Sequence, residues 1–295
     1  MGLRFGLAGT GYWAQEAHAT ALAAADAADL VGVWGRDPAR TEAVAARFGI
    51  DGYADLDRLL DEVDAVALAV PPDVQATLAV RAAAAGRHLL LDKPLALSVA
   101  AAERVAGAVA DAGVASLVFF TLRFLPELAA WVEEAAGGDW EGGDGAWLGT
   151  VFTDPDSPFA GSPWRREKGA LWDLGPHVLS LALPVLGPVE RVTAAPGHGD
   201  TVHLVCGHRG GASSTLTVSQ TVPPPAAFIG FSAWGRQGRS TTPPFQLVHL
   251  AALEAAVGQL AAMVAAGATS HPCDVRLGVD TVAVLDAAER FLAAG

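Results

Sequence analysis

The chain predicts an α/β domain on a parallel sheet, followed by an α+β domain whose open sheet is largely antiparallel. Three observations predict this. Residues 1–121 alternate short apolar runs with longer helical patterns. A glycine turn follows the first run. After residue 121 the apolar runs become short and are punctuated by Gly and Pro. The predicted domains are therefore 1–121 and 122–295, with the closing helix able to pack back on the first.

Leu3–Ala8 reads as the first strand and Tyr12–Ala25, rich in alanine, as the first helix. Leu30–Trp34 is a second strand, and Pro38 opens a helix to Phe48. Ala65–Val70 is a strand stopped by Pro71 and Pro72; Val74–Ala85 is a helix ended by Gly86. His88–Leu91 is a strand stopped at Pro94. Ser98 caps a helix to Ala112, and Val114–Phe120 is the last strand of the domain. These runs are apolar without alternation, as expected for strands covered on both faces. In the second domain, Leu125–Ala136 is helical, and Val189–Ala194, Thr201–Cys206 and Ser213–Val218 are strands. Leu253–Ala265 and Arg276–Leu292 are two closing helices.

At 52% hydrophobic the chain can bury a sizeable core, and a net charge of -13 argues against nucleic acid as a partner. Cys206 and Cys273 read as ordinary thiols of a reducing cytosol. The N-terminus opens directly on a strand pattern, so no signal peptide is expected and a cytoplasmic location is. Val248–Ala268, the most apolar long stretch, holds His249, Glu254, Gly258 and Gln259 and reads as a helix of the fold, with no membrane partner expected. The remaining histidines lack metal-ligand spacing, and no metal is expected.

The first strand runs into Gly9-Thr10-Gly11-Tyr12-Trp13-Ala14, a G-x-G-x-x-A pattern. Gly9 permits a tight turn, Gly11 lets the backbone approach a pyrophosphate, and Ala14 lets helix and sheet pack closely. The helix start then presents free N–H groups to phosphate. Strand, turn and helix in that order predict a Rossmann domain that binds a dinucleotide. The second strand ends Val33-Trp34-Gly35-Arg36-Asp37, with glycine where an NAD-binding acid is expected and an arginine beside it. A guanidinium pairs with phosphate in bidentate fashion, which favours NADP over NAD unless a one-residue shift makes Asp37 the ribose acceptor.

The chain has only two lysines, Lys93 and Lys168. Lys93 follows a strand in Asp92-Lys93-Pro94, and the carboxyl ends of parallel strands are where ligands bind. There its ammonium can stabilise charge on a substrate hydroxyl as the proton leaves. Asp173 and His177 lie four residues apart in Gly169-Ala170-Leu171-Trp172-Asp173-Leu174-Gly175-Pro176-His177. On one helical turn they share a face, and a carboxylate beside an imidazole is a proton-transfer unit. On the residues alone, Lys93 as a surface lysine, Asp173 as a helix cap and His177 as a satisfied core residue are equally open.

Together with Pro71-Pro72 and Arg123-Phe124-Leu125-Pro126, these motifs resemble, in order and spacing, the Gfo/Idh/MocA family of glucose–fructose oxidoreductase and inositol dehydrogenase. The resemblance covers nearly the whole chain. It implies hydride transfer between NADP or NAD and a carbonyl or secondary alcohol of a sugar, cyclitol or related molecule, in a homo-oligomeric dimer or tetramer. It implies Lys93 at the reacting oxygen, His177 as general acid/base, Asp173 as the positioning carboxylate, and a cis Lys93–Pro94 peptide. It extends the cofactor site to Pro71, Asp92 and Lys93 and the substrate site to Arg123, Trp164, Arg165 and Trp172. Asp92 stands where the family usually has Glu, and Ser180 where it often has Asp. A catalytically silent cofactor- or sugar-binding regulator of the same fold, and a reductase of an imine or conjugated double bond, are the competing readings.

Overall fold

A computed structural model describes residues 2–294 and divides into two compact units: Met1–Leu125 with Leu247–Val279, and Pro126–Gln246 with Asp280–Gly295.

In the first unit, six parallel strands run in the order β3-β2-β1-β4-β5-β6: β1 Leu3–Ala8, β2 Ala28–Trp34, β3 Asp51–Tyr53, β4 Ala65–Leu68, β5 His88–Asp92 and β6 Ser116–Phe119. Phe5, Leu7, Val66, Leu68, Leu89 and Leu91 are fully buried, as continuous apolar runs require of strands sandwiched between helices. Strand order reverses between β1 and β4, which sets the carboxyl ends of β1, β4 and β5 along one edge of the sheet.

The first helix is unusual. Ala14–Ala19 is a π-helix and continues into α1, Thr20–Ala24. Helix α2, Pro38–Phe48, is capped by Asp37, whose carboxylate accepts from the amides of Ala39 and Arg40 at 3.0 and 3.2 Å. Short α3, Leu56–Asp61, and α4, Pro72–Ala84, follow. In α5, Val99–Ala112, Ser98 accepts from the Ala101 amide at 3.3 Å, and left-handed Gly113 ends the helix. Helix α9, His249–Ala265, belongs to this unit and packs on α1, the preceding π-helix and β6.

In the second unit a mixed sheet runs β12-β11-β7-β10-β9-β8: β7 Trp140–Leu148, β8 Val189–Pro196, β9 Val202–His208, β10 Ser213–Ser219, β11 Phe228–Gly235 and β12 Gly238–Thr241. β10 and β7 pair in parallel; the other pairs are antiparallel. One face is covered by α8, Gly175–Leu186, which packs on β7, β10 and β11, and α6, Pro126–Ala135, packs on α8. Helix α7, Pro163–Asp173, breaks its helical backbone at Gly169. Helix α10, Val275–Ala294, closes the chain.

Strand β7 is not expected from its sequence, because it carries Gly142, Gly143 and Gly145. The glycines are answered by rings on β11. A Cβ at Gly142 would stand 2.3 Å from the Trp234 ring, and one at Gly145 would stand 2.5 Å from Phe231. The aromatic side chains occupy the volume that β7 leaves open, so a Gly-rich segment still forms a packed central strand.

The apolar stretch Pro163–Leu186 is long and apolar enough to cross a membrane by length and composition, but 89% of its apolar 18-residue window is buried within the chain. Cys206 and Cys273 are buried free thiols, each pushed up to about 11 chiefly by burial.

Candidate active site

In the first unit, the turn after β1 has the geometry a pyrophosphate needs. Gly9 adopts φ 139°, and a Cβ there would stand 2.3 Å from the Ala69 carbonyl oxygen and 3.3 Å from the Ala14 Cβ, so only glycine closes the turn. Gly11 is the opposite case. A Cβ there would meet nothing within 4 Å, so its bare backbone faces open space rather than protein. A phosphate can come up against that backbone. The Gln15 side chain steadies the turn by donating to the Thr10 carbonyl at 3.0 Å. Tyr12 is 54% exposed, Trp13 is half-buried and Ala14 is buried under the helix.

At the end of β2, a Cβ on Gly35 would lie 2.6 Å from the Thr10 Cγ2 and 3.0 Å from the Thr41 hydroxyl. An acid at this position would have to displace Thr10. Asp37 holds the α2 amides and an ion pair with Arg40 at 3.6 Å, so its carboxylate is already engaged on its own helix. Arg36 is exposed beside it.

After β5 comes the turn that carries Lys93. The Lys93–Pro94 peptide is cis. Buried Gln75 of α4 donates to the carbonyls of Asp92, Pro94 and Leu95 at 2.7, 3.1 and 3.2 Å and accepts from the Asp92 amide at 2.9 Å. Asp92 accepts from the Lys93 amide at 2.8 Å, and its other oxygen lies 3.7 Å from Nε2 of fully buried His18. Burial alone would raise the Asp92 carboxyl; the His18 ring, then Lys93, outweigh it and hold the group below its ordinary value. Trp13 meets His18 and His249 edge-on, with ring centroids 6.3 and 5.5 Å away. Burial, then the charge of Lys93, depresses the His249 imidazole. Pro71, exposed, is the residue before α4, and its carbonyl accepts from the amides of Val74 and Gln75. Arg123 is half-buried, and its charge, after burial itself, lowers the His271 imidazole.

In the second unit, Asp173 and His177 are buried to 2% and 3% exposure at the junction of α7 and α8. Asp173 caps neither helix, since the residue before α8 is Leu174. Its Oδ2 accepts instead from Arg165 Nε at 3.0 Å and from Gln220 Nε2 at 2.5 Å. The His177 ring packs against Trp147 of β7, centroids 4.6 Å apart. The Ser180 hydroxyl donates to the His177 carbonyl at 2.7 Å. Trp164 is half-buried, with the Arg165 guanidinium 5.0 Å over its ring. Trp172 is fully buried, with Lys168 over its ring. Lys168 itself is ion-paired to Glu289 at 3.1 Å. Among the described residues, no three His, Cys, Asp or Glu side chains are grouped to hold a metal ion.

Sequence reasoning misses Gln75 and Gln220, and gives His18 and His249 no special place. Glutamine carries no titratable signal, and only the fold brings these amides to their carboxylate and turn.

Residues 3–120 match the profile described as an oxidoreductase family with an NAD-binding Rossmann fold, and residues 128–240 match the GFO/IDH/MocA C-terminal domain. The chain is 31% identical to levoglucosan dehydrogenase of Pseudarthrobacter phenanthrenivorans over 54% of its own length; that match spans only 43% of the enzyme. It is 29% identical to inositol 2-dehydrogenase of Rhizobium meliloti over 79% of the chain and 69% of that enzyme. Among solved structures, GenD2 from gentamicin A biosynthesis, in complex with NAD, superposes with a TM-score of 0.85 at 25% identity, covering 99% of this chain and 94% of that one.

Proposed function

The chain belongs to the GFO/IDH/MocA oxidoreductase family, and on that premise we propose that it is an NADP-preferring oxidoreductase acting on a carbonyl or secondary alcohol of a sugar-like or cyclitol substrate. The observation that carries the reading is the Lys93 turn. It is clamped by Gln75 at the carboxyl end of β5, on the same sheet edge as the open backbone of Gly11.

Gly9 to Ala14 would hold the pyrophosphate, with Pro71 and Asp92 bordering the site. Arg36, beside a glycine that excludes an acid, would pair with the extra phosphate of NADP. Bound there, the nicotinamide dinucleotide supplies or accepts the hydride. Lys93 donates to the reacting oxygen and stabilises its developing negative charge. His177 takes the proton from that oxygen in oxidation and returns it in reduction. Asp173, held by two donors, orients the imidazole and the substrate. Arg123, Trp164, Arg165 and Trp172 are the proposed substrate contacts.

The outer face of the second sheet leaves Val205, Phe228 and Trp234 51%, 55% and 40% exposed, which supports assembly of copies through this face. Light scattering of the purified protein reads that oligomeric state.

Turnover is tested by following NADPH and NADH oxidation with a panel of keto-sugars and keto-cyclitols, and the reverse reaction with the alcohols. Lys93→Ala and His177→Ala are expected to lower kcat by about 10²–10⁴-fold. Turnover in wild type that survives both substitutions defeats the assignment of roles.

A further inference from the structure

We infer that Gln220 is a positioning residue that fixes the carboxylate of Asp173, and that Asp200 in turn fixes Gln220, taking Asp173 as the carboxylate of the proposed reaction. Gln220 is the first residue after β10 and is fully buried, as is Ser219 before it. Its backbone is anchored from the turn between β8 and β9. Asp200 Oδ1 accepts from the Gln220 amide at 2.9 Å, from the Ser219 hydroxyl at 3.0 Å and from the Thr221 hydroxyl at 2.8 Å, and Oδ2 accepts from the Gln220 amide at 3.1 Å. One carboxylate thus holds three consecutive residues.

From that anchored backbone the side-chain amide reaches Asp173. Nε2 donates to Oδ2 at 2.5 Å, on the same oxygen that receives Arg165. Arg165 on α7 brings a charged donor to Asp173, and His177 stands four residues on at the start of α8; the Gln220 amide comes from a separate element, the end of β10. An ionised carboxylate oxygen accepts both donors together, whereas a proton on that oxygen would turn one of them away. Two donors from two elements also leave the Asp173 side chain little rotational freedom.

A second observation separates this from packing. The Oε1 of Gln220 is buried and has no hydrogen-bond partner among the described residues. An apolar residue of the same size would avoid stranding that oxygen. What glutamine supplies, and leucine does not, is the donor to Asp173.

The test uses Gln220→Glu and Gln220→Leu in the full-length protein. Both keep the volume. The first sets a second carboxylate against Asp173, and one of the pair must then keep a proton. The expected result has two parts. The melting temperature of Gln220→Glu falls progressively further below wild type between about pH 5 and pH 8, while the deficit of Gln220→Leu stays constant with pH. In turnover, both variants lose kcat by about 100-fold near neutrality with KM little changed, and Gln220→Glu recovers activity as pH falls. Asp200→Asn, with a weaker hold on the same amide, lowers kcat in the same direction.

A Gln220→Glu deficit flat across that pH range overturns the contact, whether or not a substrate has been found. A pH-dependent deficit with unchanged kcat makes Gln220 structural and overturns the positioning role. If wild type turns over nothing while Gln220→Glu melts as expected, the proposed reaction falls and the Gln220–Asp173 contact stands.

Discussion

Gln75 grips Asp92 at both ends of one residue: its side-chain carbonyl accepts from the Asp92 amide at 2.9 Å, and its side-chain N–H donates to the Asp92 carbonyl at 2.7 Å. The same N–H group also reaches the Pro94 and Leu95 carbonyls. Replacing Gln75 with Leu strands the Asp92 amide and up to three carbonyls, each worth about 1–3 kcal/mol if left buried and unpartnered. Gln75→Leu is therefore expected to lower the urea midpoint clearly, and to lower kcat at temperatures where the variant remains folded. Unfolding curves and kinetics on the same preparation check both.

Gly9 and Gly11 should respond oppositely to the same substitution. Gly11→Ala adds a methyl group where no protein atom lies within 4 Å, so stability should stay within about 0.5 kcal/mol of wild type. Dinucleotide affinity should fall by about tenfold or more, since the methyl group occupies the approach to the backbone. Gly9→Ala should destabilise the fold itself, because its Cβ would stand 2.3 Å from the Ala69 oxygen. Melting curves with a dinucleotide titration separate the two.

Arg36→Ala should weaken NADP binding by about 10- to 100-fold, the worth of a charge-assisted hydrogen bond, and leave NAD nearly unchanged. Equal losses for the two dinucleotides would remove Arg36 from cofactor selection. Parallel titrations of both cofactors give the ratio.

Asp92 links stability to pH with a definite sign. Its carboxyl is held below the ordinary value in the folded chain, with the His18 ring and Lys93 overcoming burial. Its stabilising contribution is therefore complete above the unfolded value near 4 and is lost as pH falls through the folded one. Asp92→Asn should separate from wild type most above about pH 4, and the two stability curves should converge toward acid. Chemical denaturation across that range measures the gap.

The first unit is legible in sequence because its strands are uninterrupted apolar runs and its helices carry their own start and stop signals, Asp37–Pro38 and Ser98 at starts and Gly113 at an end. Asp51–Tyr53 escapes notice because three residues beginning Asp-Gly form no apolar run. β7 escapes because its glycines only make sense opposite Trp234 and Phe231, which lie far along the chain. In the candidate site, Lys93, Asp173 and His177 can be named because ionisable groups in a motif advertise their chemistry. The amides of Gln75 and Gln220 cannot, since their partners are 17 and 47 residues away.

The first unit is written in two pieces, Met1–Leu125 and Leu247–Val279, and the second resumes at Asp280. During synthesis, then, the sheet with the glycine turn leaves the ribosome well before α9, which must close over the π-helix and β6. Truncation at the apparent border near residue 125 yields a nucleotide-binding half stripped of its covering helix, with Trp13 deprived of its His249 neighbour. Isolating either half as a working module requires stitching distant stretches of gene together, and a single cut does not suffice.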